Sequence, residues 1–396
     1  MLNCKRKELN CSYTLSTHVS EIESEWDALL PEGHHLKISA LQALLNAGPG
    51  NTVFAFLLLR QQDRCIGLAF LQLLNFGKDA IPSGLTEHKS GAWFQSLLLP
   101  EQMSVLICGH IFRSDFPGYY FPDREKENLL LPVLAHAERK IPVPFKLMGT
   151  WLKDIPPGSF PEQSFSNGFR PIRQDVVMDM HIRPEWHAFD DYVSDLSGKY
   201  RQRAGKIIRQ GSEIEVRELD TEEVFLHEKE IYALYLLVAE RQSVQVALLP
   251  GRYFSSCKQG YGNDFRVFGY FHQGKMCAFS GHILKPEGRM ELHYIGFDPA
   301  ANETFALYFN ILFDGLKQAI LLKRKVLELG RTSLDAKANL GAEPRQLFHS
   351  FRVKRGIPSL LFRYLNQWAG TAEPDTWRNR NPLKNKVVID EPTVDA

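Results

Sequence analysis

Several features that would place this chain at once are missing from it. No uninterrupted apolar run approaches the roughly 20 residues of a membrane-spanning helix. The 396 residues carry 47 Lys+Arg against 46 Asp+Glu, a formal net charge of +1. No overall field therefore draws in DNA or an anionic membrane, and any anionic partner must be held by a local patch. The six cysteines, Cys4, Cys11, Cys65, Cys108, Cys257 and Cys277, contain no Cys-x-x-Cys pair and are irregularly spaced. That argues against a zinc site or a disulfide framework. They fit small buried hydrophobes in a reducing compartment, and the expected location is cytoplasmic. Lys5, Arg6 and Lys7 near the start are followed by no apolar run, which is not the pattern of a secretory leader. His34, His35 and His110 lack partners at metal spacing, so no metal is expected. No Ser-His-Asp or Cys-His signature is visible.

What is present is a well-populated core. Hydrophobic content is 44%, and 26 of the residues are Phe, a composition of packed domains rather than disorder. The length suits two or three domains. Alternating apolar runs at 53–59 and 65–76 predict a first hairpin, and those at 266–272 and 275–284 a second over Gln273-Gly274. A strand over 289–297 follows. Helical periodicity is expected at 127–139, 198–210, 221–241 with a capping start at Thr221, and 305–322, and again at 359–368. Hairpins interrupted by helices predict an α+β fold with a mixed sheet rather than a doubly wound parallel one. The grammar of the first half recurs in the second, suggesting duplication. The expected units are 1–180 and 181–370, with a mobile polar tail at 371–396.

The densest stretch is Lys-Val-Leu-Glu-Leu-Gly-Arg-Thr-Ser-Leu-Asp-Ala-Lys, ending at Lys337. It predicts a short buried strand, a turn at Gly330 and a helix over 332–340. Thr332 and Asp335 have capping-box spacing, and Gly341 and Pro344 suit the helix end. Arg331 just before the helix and Lys337 within it would add cations to a helix N-terminus, a natural anion site. The alternative is a surface corner with solvated charges. Lys199, Arg203 and Lys206 share one helix face, either as a cationic ridge for phosphates or as a solvated face. Glu291 and His293 share one face of a strand, with Met290, Leu292 and Tyr294 on the other. A carboxylate and an imidazole so placed could deprotonate an amine, or form a polar cross-strand ladder. His282 is a weaker alternate.

The second half resembles the GNAT superfamily, in the Fem-type, tandem-GNAT branch of peptidoglycan-biosynthesis-like N-acyltransferases. The residues that carry this are the run 190–203 with Leu196-Ser197-Gly198-Lys199-Tyr200-Arg201, and the 268–281 hairpin. Further on come Tyr294-Ile295-Gly296-Phe297-Asp298-Pro299, and then Gly330-Arg331-Thr332 through Lys337 to Gly341-Ala342. The match covers about 190–365, and the N-terminal half resembles the companion domain of tandem members. The resemblance implies two tandem acyl-CoA N-acyltransferase-like domains and a wedge between splayed fourth and fifth strands. It implies an acyl donor, usually acyl-CoA as co-substrate, and direct attack by an amine or hydroxyl of a small molecule, peptide or cell-envelope precursor. Glu291 or His293 would take the proton, and Tyr294 could protonate a leaving thiolate. Lys199, Arg201, Arg203, Arg331 and Lys337 would hold substrate or carrier. The Gly-rich phosphate loop of the superfamily should fall at 298–307, yet Pro299 to Leu307 contain no glycine. Two alternatives follow: a Fem-type transferase using aminoacyl-tRNA, or a binding protein that kept the fold and lost the carrier site.

Overall fold

The computed structural model describes residues 2–6, 11–47, 52–77, 100–160, 167–241, 248–354 and 380–384. The first unit runs β1 (Leu2–Arg6), β2 (Cys11–Ser16), α1 (Glu23–Leu29), α2 (Ile38–Asn46), β3 (Thr52–Gln61) and β4 (Arg64–Gly77). It continues through β5 (Gln102–Cys108), β6 (Tyr119–Tyr120), α3 (Leu130–Ala137), β7 (Lys146–Ile155) and β8 (Phe169–His181). The second unit begins with α4 (Phe189–Asp195), α5 (Gly198–Gln210), β9 (Glu215–Leu219), α6 (Thr221–Leu226), α7 (Glu228–Ala239) and α8 (Tyr253–Tyr261). Then come β10 (Phe265–His272), β11 (Lys275–Leu284), β12 (Arg289–Phe297), α9 (Pro299–Phe305), α10 (Leu307–Leu321), β13 (Val326–Glu328), α11 (Leu334–Ala338) and β14 (Glu343–Val353). The expected helix at 359–368 lies outside the described residues. So does the tail apart from 380–384, which returns to the α4–α5 corner through a Leu196–Leu383 bridge.

Both hairpins form where the sequence places them, and for the same reason. Gln62 and Asp63 have φ of 49° and 60°, and Gln273 and Gly274 have φ of 50° and 79°. Two successive residues with positive φ make the turn whose twist matches that of paired strands. The expected helix over 221–241 is two helices that meet at His227. Its cap is Asp220 rather than Thr221: the Asp220 carboxylate accepts from Glu223 N–H, and Glu223 returns to Asp220 N–H. The helix expected from 305 starts at Leu307, and the separate turn α9 precedes it.

The strands join in one sheet in the order β1-β2-β3-β4-β5-β7-β14-β8-β13-β12-β11-β10-β9, with β6 beside β4. Each unit contributes one parallel pair, β5–β7 and β12–β13. The strand that completes each unit belongs to the other half of the chain: β14 lies against β7, and β8 lies against β13. β8 and β14 pair with each other along the middle, so the two units have exchanged their last strands.

An apolar core fastens the units from one side. Trp26, Leu41 and Phe70 of the first unit share a cluster with Tyr253, Phe254 and Phe279 of the second. Trp26 is fully buried and its indole N–H donates to Leu36 O at 2.7 Å. Truncating such a residue to Ala costs about 3–5 kcal/mol. Two further clusters lie under α3 in the first unit and under α4, α5 and α10 in the second.

Candidate functional site

The wedge comes from one extra residue in β12. Ser280 pairs with Ile295 and His282 with Leu292, so Gly281 alone faces both His293 and Tyr294. This is a β-bulge. Only a glycine fits opposite it, since a Cβ at position 281 would lie 2.6 Å from His293 O. Tyr294 takes the strained left-handed conformation, φ 56°. The bulge also corrects the expected alternation. Leu292 and Ile295 face one core, while His293 and Tyr294 both turn toward the other side. β12 pairs with β13 only at Arg289–Val326, Met290–Leu327 and Glu291–Glu328. Beyond these, the β12 edge is released from its parallel neighbour, and a cavity of about 700 Å³ opens there.

Five of the eight expected site residues meet in that cavity: Glu291, His293, Tyr294, Arg331 and Lys337. Glu291 accepts from His293 Nδ1 at 2.7 Å, from Arg113 Nη2 at 2.8 Å and from Lys285 Nζ at 3.0 Å. Burial would raise its pKa, but Arg113, then Lys285 and His293, outweigh burial and hold the carboxyl well below its usual range. Burial lowers the His293 pKa, against the pull of Glu291. The neutral ring then has Nδ1–H facing Glu291, and Nε2 accepts from Tyr253 OH at 2.7 Å. Tyr294 OH donates to Phe112 O at 2.9 Å, and burial pushes its pKa upward. Phe112 and Arg113 come from the first unit, on the loop after β5. Sequence reasoning missed Arg113, Lys285 and Tyr253. The one signal for Arg113 is a lone cation set between Phe112 and Phe116 behind a buried strand.

The opposite wall is the turn after β13. The capping box expected at Thr332 and Asp335 is absent: Ser333 is the N-cap with φ 56°, makes no side-chain cap, and α11 has only five residues. The anion site expected from a helix N-terminus therefore has no long helix behind it. Asp335 instead lies 3.5 Å from Arg380. Arg331 donates to Asp175 of β8 while lining the cavity. Lys337 is 3% exposed and no carboxylate among the described residues partners it; burial alone pushes its amine down to about 7.

The three remaining residues do not line the cavity. Lys199 is exposed on α5. Arg201 turns back to cap α4, donating to Leu196 O at 2.9 Å and Ser194 O at 3.3 Å. Arg203 stacks over Phe309, a cavity residue, at 5.1 Å. His282 is buried beside Ser280 and Phe268, where burial lowers it to about 3.

The segment expected to grip a carrier diphosphate is partly satisfied from within. Asp298 Oδ1 accepts from Ala300 N–H at 2.8 Å and starts α9. Asn302 Oδ1 accepts from Tyr308 N–H at 2.8 Å, capping α10 from within the chain. Ala306 between the two helices has φ 49°. A helix end whose N–H is taken by its own asparagine offers a phosphate less than an open one does. Two of the N–H groups that could meet a carrier diphosphate are thus taken from within the chain.

No family model and no curated protein matches the chain. Solved structures do. A crystal structure of FemX superposes with a TM-score of 0.53 at 11% identity, over 87% of this chain and 98% of that one. A tandem GNAT protein from the clavulanic acid biosynthesis pathway gives 0.47 at 11%, over 87% and 98%. A GNAT-family acetyltransferase from Colwellia psychrerythraea gives 0.43 at 10%, over 86% and 99%. The chain shares the fold of FemX over most of its length.

Proposed function

We propose that this protein is an acyltransferase, with the acyl group of the donor seated in the wedge between β12 and β13. The observation that carries the reading is a buried lysine, Lys337, with no counter-ion among the described residues, facing a bulged strand edge across the cavity. Backbone N–H groups along the released edge of β12 would polarise the acyl carbonyl. An amine or hydroxyl acceptor would attack directly, the cavity supplying proximity. The neutral Lys337 amine, which no described side chain pairs, would take the proton lost by the acceptor as the acyl–carrier bond breaks, and would return it to the departing thiolate or alkoxide; its pKa suits a base near pH 7. Glu291 is too strongly held by cations to act as that base, and His293 already accepts from Tyr253. Arg331, with Asp175 behind it, would hold a carboxylate or phosphate of the substrate.

The capped end of α10 favours a second reading of the donor, an aminoacyl-tRNA ester rather than a CoA thioester. Thermal melting of the protein with acetyl-CoA, longer acyl-CoAs, free CoA and aminoacyl-tRNA tests both, because a ligand of the native state raises Tm by mass action. A rise with the tRNA donor alone supports the second reading, and a rise with acyl-CoA overturns it. No rise with any donor counts against acyl transfer.

A further inference from the structure

Eight charged residues beside the cavity form a ring of ion pairs that is continuous except between Arg113 and Asp115. Arg113 Nη2 meets Glu291 at 2.8 Å, and Glu291 meets Lys285 at 3.0 Å. Lys285 pairs with Glu328, and Glu328 with Arg289. Arg289 reaches Asp179 at 2.8 Å, Asp179 meets Arg345 at 2.7 Å, and Arg345 meets Asp115 at 3.0 Å. Arg113 and Asp115 lie on one loop of the first unit, so the backbone of that loop joins the two ends. It holds four cations (Arg113, Lys285, Arg289, Arg345) and four carboxylates (Glu291, Glu328, Asp179, Asp115), and its net charge is zero. Its members come from that loop, from β8, from the β11–β12 connection and β12, from β13 and from β14.

The same loop grips both sides of the bulge. Arg113 holds Glu291 on one side, and Phe112 O receives the Tyr294 hydroxyl on the other. The loop is itself anchored in the first unit: Lys153 Nζ donates to Arg113 O at 2.6 Å, and Asp154 accepts from Phe116 N–H at 3.0 Å. Arg113 is 2% exposed and 178 residues from Glu291 in sequence.

We infer that Arg113 is a positioning residue for the cavity of the other unit: acting through Glu291, it completes a neutral ring and holds His293 uncharged with Nδ1 protonated. Around His293 stand Glu291 on its own strand, Arg113 and His110 from the first unit, Lys285 after β11 and Tyr253 from α8. The tyrosine is neutral, and His110 is held neutral by burial and by Arg113 and Lys153. Burial is the largest influence keeping His293 neutral, and of the charges around it one carboxylate stands against two cations. Removing either cation leaves the ring one negative charge in excess, and the imidazole is the nearest group able to take up the compensating proton. The inference rests on the proposed function only for its consequence, an uncharged wall opposite Lys337; the quantity itself belongs to the ligand-free protein.

The test is an NMR titration of the imidazole signals of the full chain, with His293 assigned from His293→Gln. In Arg113→Met the His293 midpoint is expected to move up by roughly 1–3 pH units, the size of a lost neighbouring charge. Arg113→Lys, which keeps the charge, is expected to restore the original curve. A folded Arg113→Met with an unchanged curve overturns the inference, as does an equal shift in Arg113→Lys. If Arg113→Met does not fold, Lys285→Met removes the same charge from the ring and must raise the midpoint likewise; no shift there is equally fatal. Because no acyl donor enters the experiment, a failed search for donors leaves this result standing.

Discussion

The two units share a strand plan, and the difference that bears on the site lies at one place. In the first, β4 and β5 pair without interruption from Leu71–Cys108 to Gly77–Gln102, and β5 stays beside β7 to its last residue, Cys108 opposite Leu152. In the second, β11 and β12 slip by one residue at Gly281, and β12 leaves β13 after Glu291. The first wedge is closed and the second is open. One additional residue in one strand is the difference: it turns two neighbouring side chains to the same face and frees a strand edge. The closed unit still contributes, because the loop leaving its unbroken β5 braces the bulge of the other.

The sharpest way to break this contrast is Lys337→Met, since the closed unit has no cavity lysine of this kind to replace it. Acyl transfer is expected to fall by about 10²–10⁴-fold, the usual worth of a positioned base, in a single-turnover assay with whichever donor raises Tm. In the unaltered protein the rate should rise with pH through about 7 as the amine loses its proton. Stability carries the same signature. The folded pKa lies below the unfolded value of about 10.4, so between these limits the unfolded state binds more protons. Stability relative to Lys337→Met should therefore grow as pH rises from about 7 toward 10, and chemical denaturation at a series of pH values would show it. A smaller effect is expected from Gly281→Ala. The added methyl would meet His293 O, and overpacking of this kind costs about 1–3 kcal/mol. Urea denaturation measures the loss, and a neutral result would mean that the bulge can relax. The smallest effect belongs to Lys199→Ala, exposed on α5 and outside the cavity. Its stability should stay within about 0.5 kcal/mol by the same measurement.

Much of this was legible in the sequence. The two hairpins, β12, the turn at Gly330 and the meeting of Glu291 with His293 follow from period-two patterns and turn residues, which act over a few positions. The bulge was not, because the run Met290 to Tyr294 alternates as well as any regular strand; the break is visible only against Gly281 across the sheet. The cap of α6 was misplaced by one residue because Thr221 and Asp220 are both competent caps and the reciprocal Glu223 decides between them. Arg113 was beyond reach for a different reason: its partner is far along the chain, and no local pattern encodes that pairing. The capping box at Thr332 failed because the turn places Ser333 in a left-handed conformation, so the helix begins later and stays short.

The exchanged strands also impose an order on synthesis. β7 emerges from the ribosome long before β14, which must lie against it and which ends only at Val353. Until then β7 carries an unpaired edge, in what becomes the middle of the complete sheet, the kind of edge that invites association with other chains. Its parallel pair can form early, but its closing ladder waits for nearly the whole chain. Folding of the first half should therefore be late and coupled to the second, with the slow kinetics of long-range strand pairing.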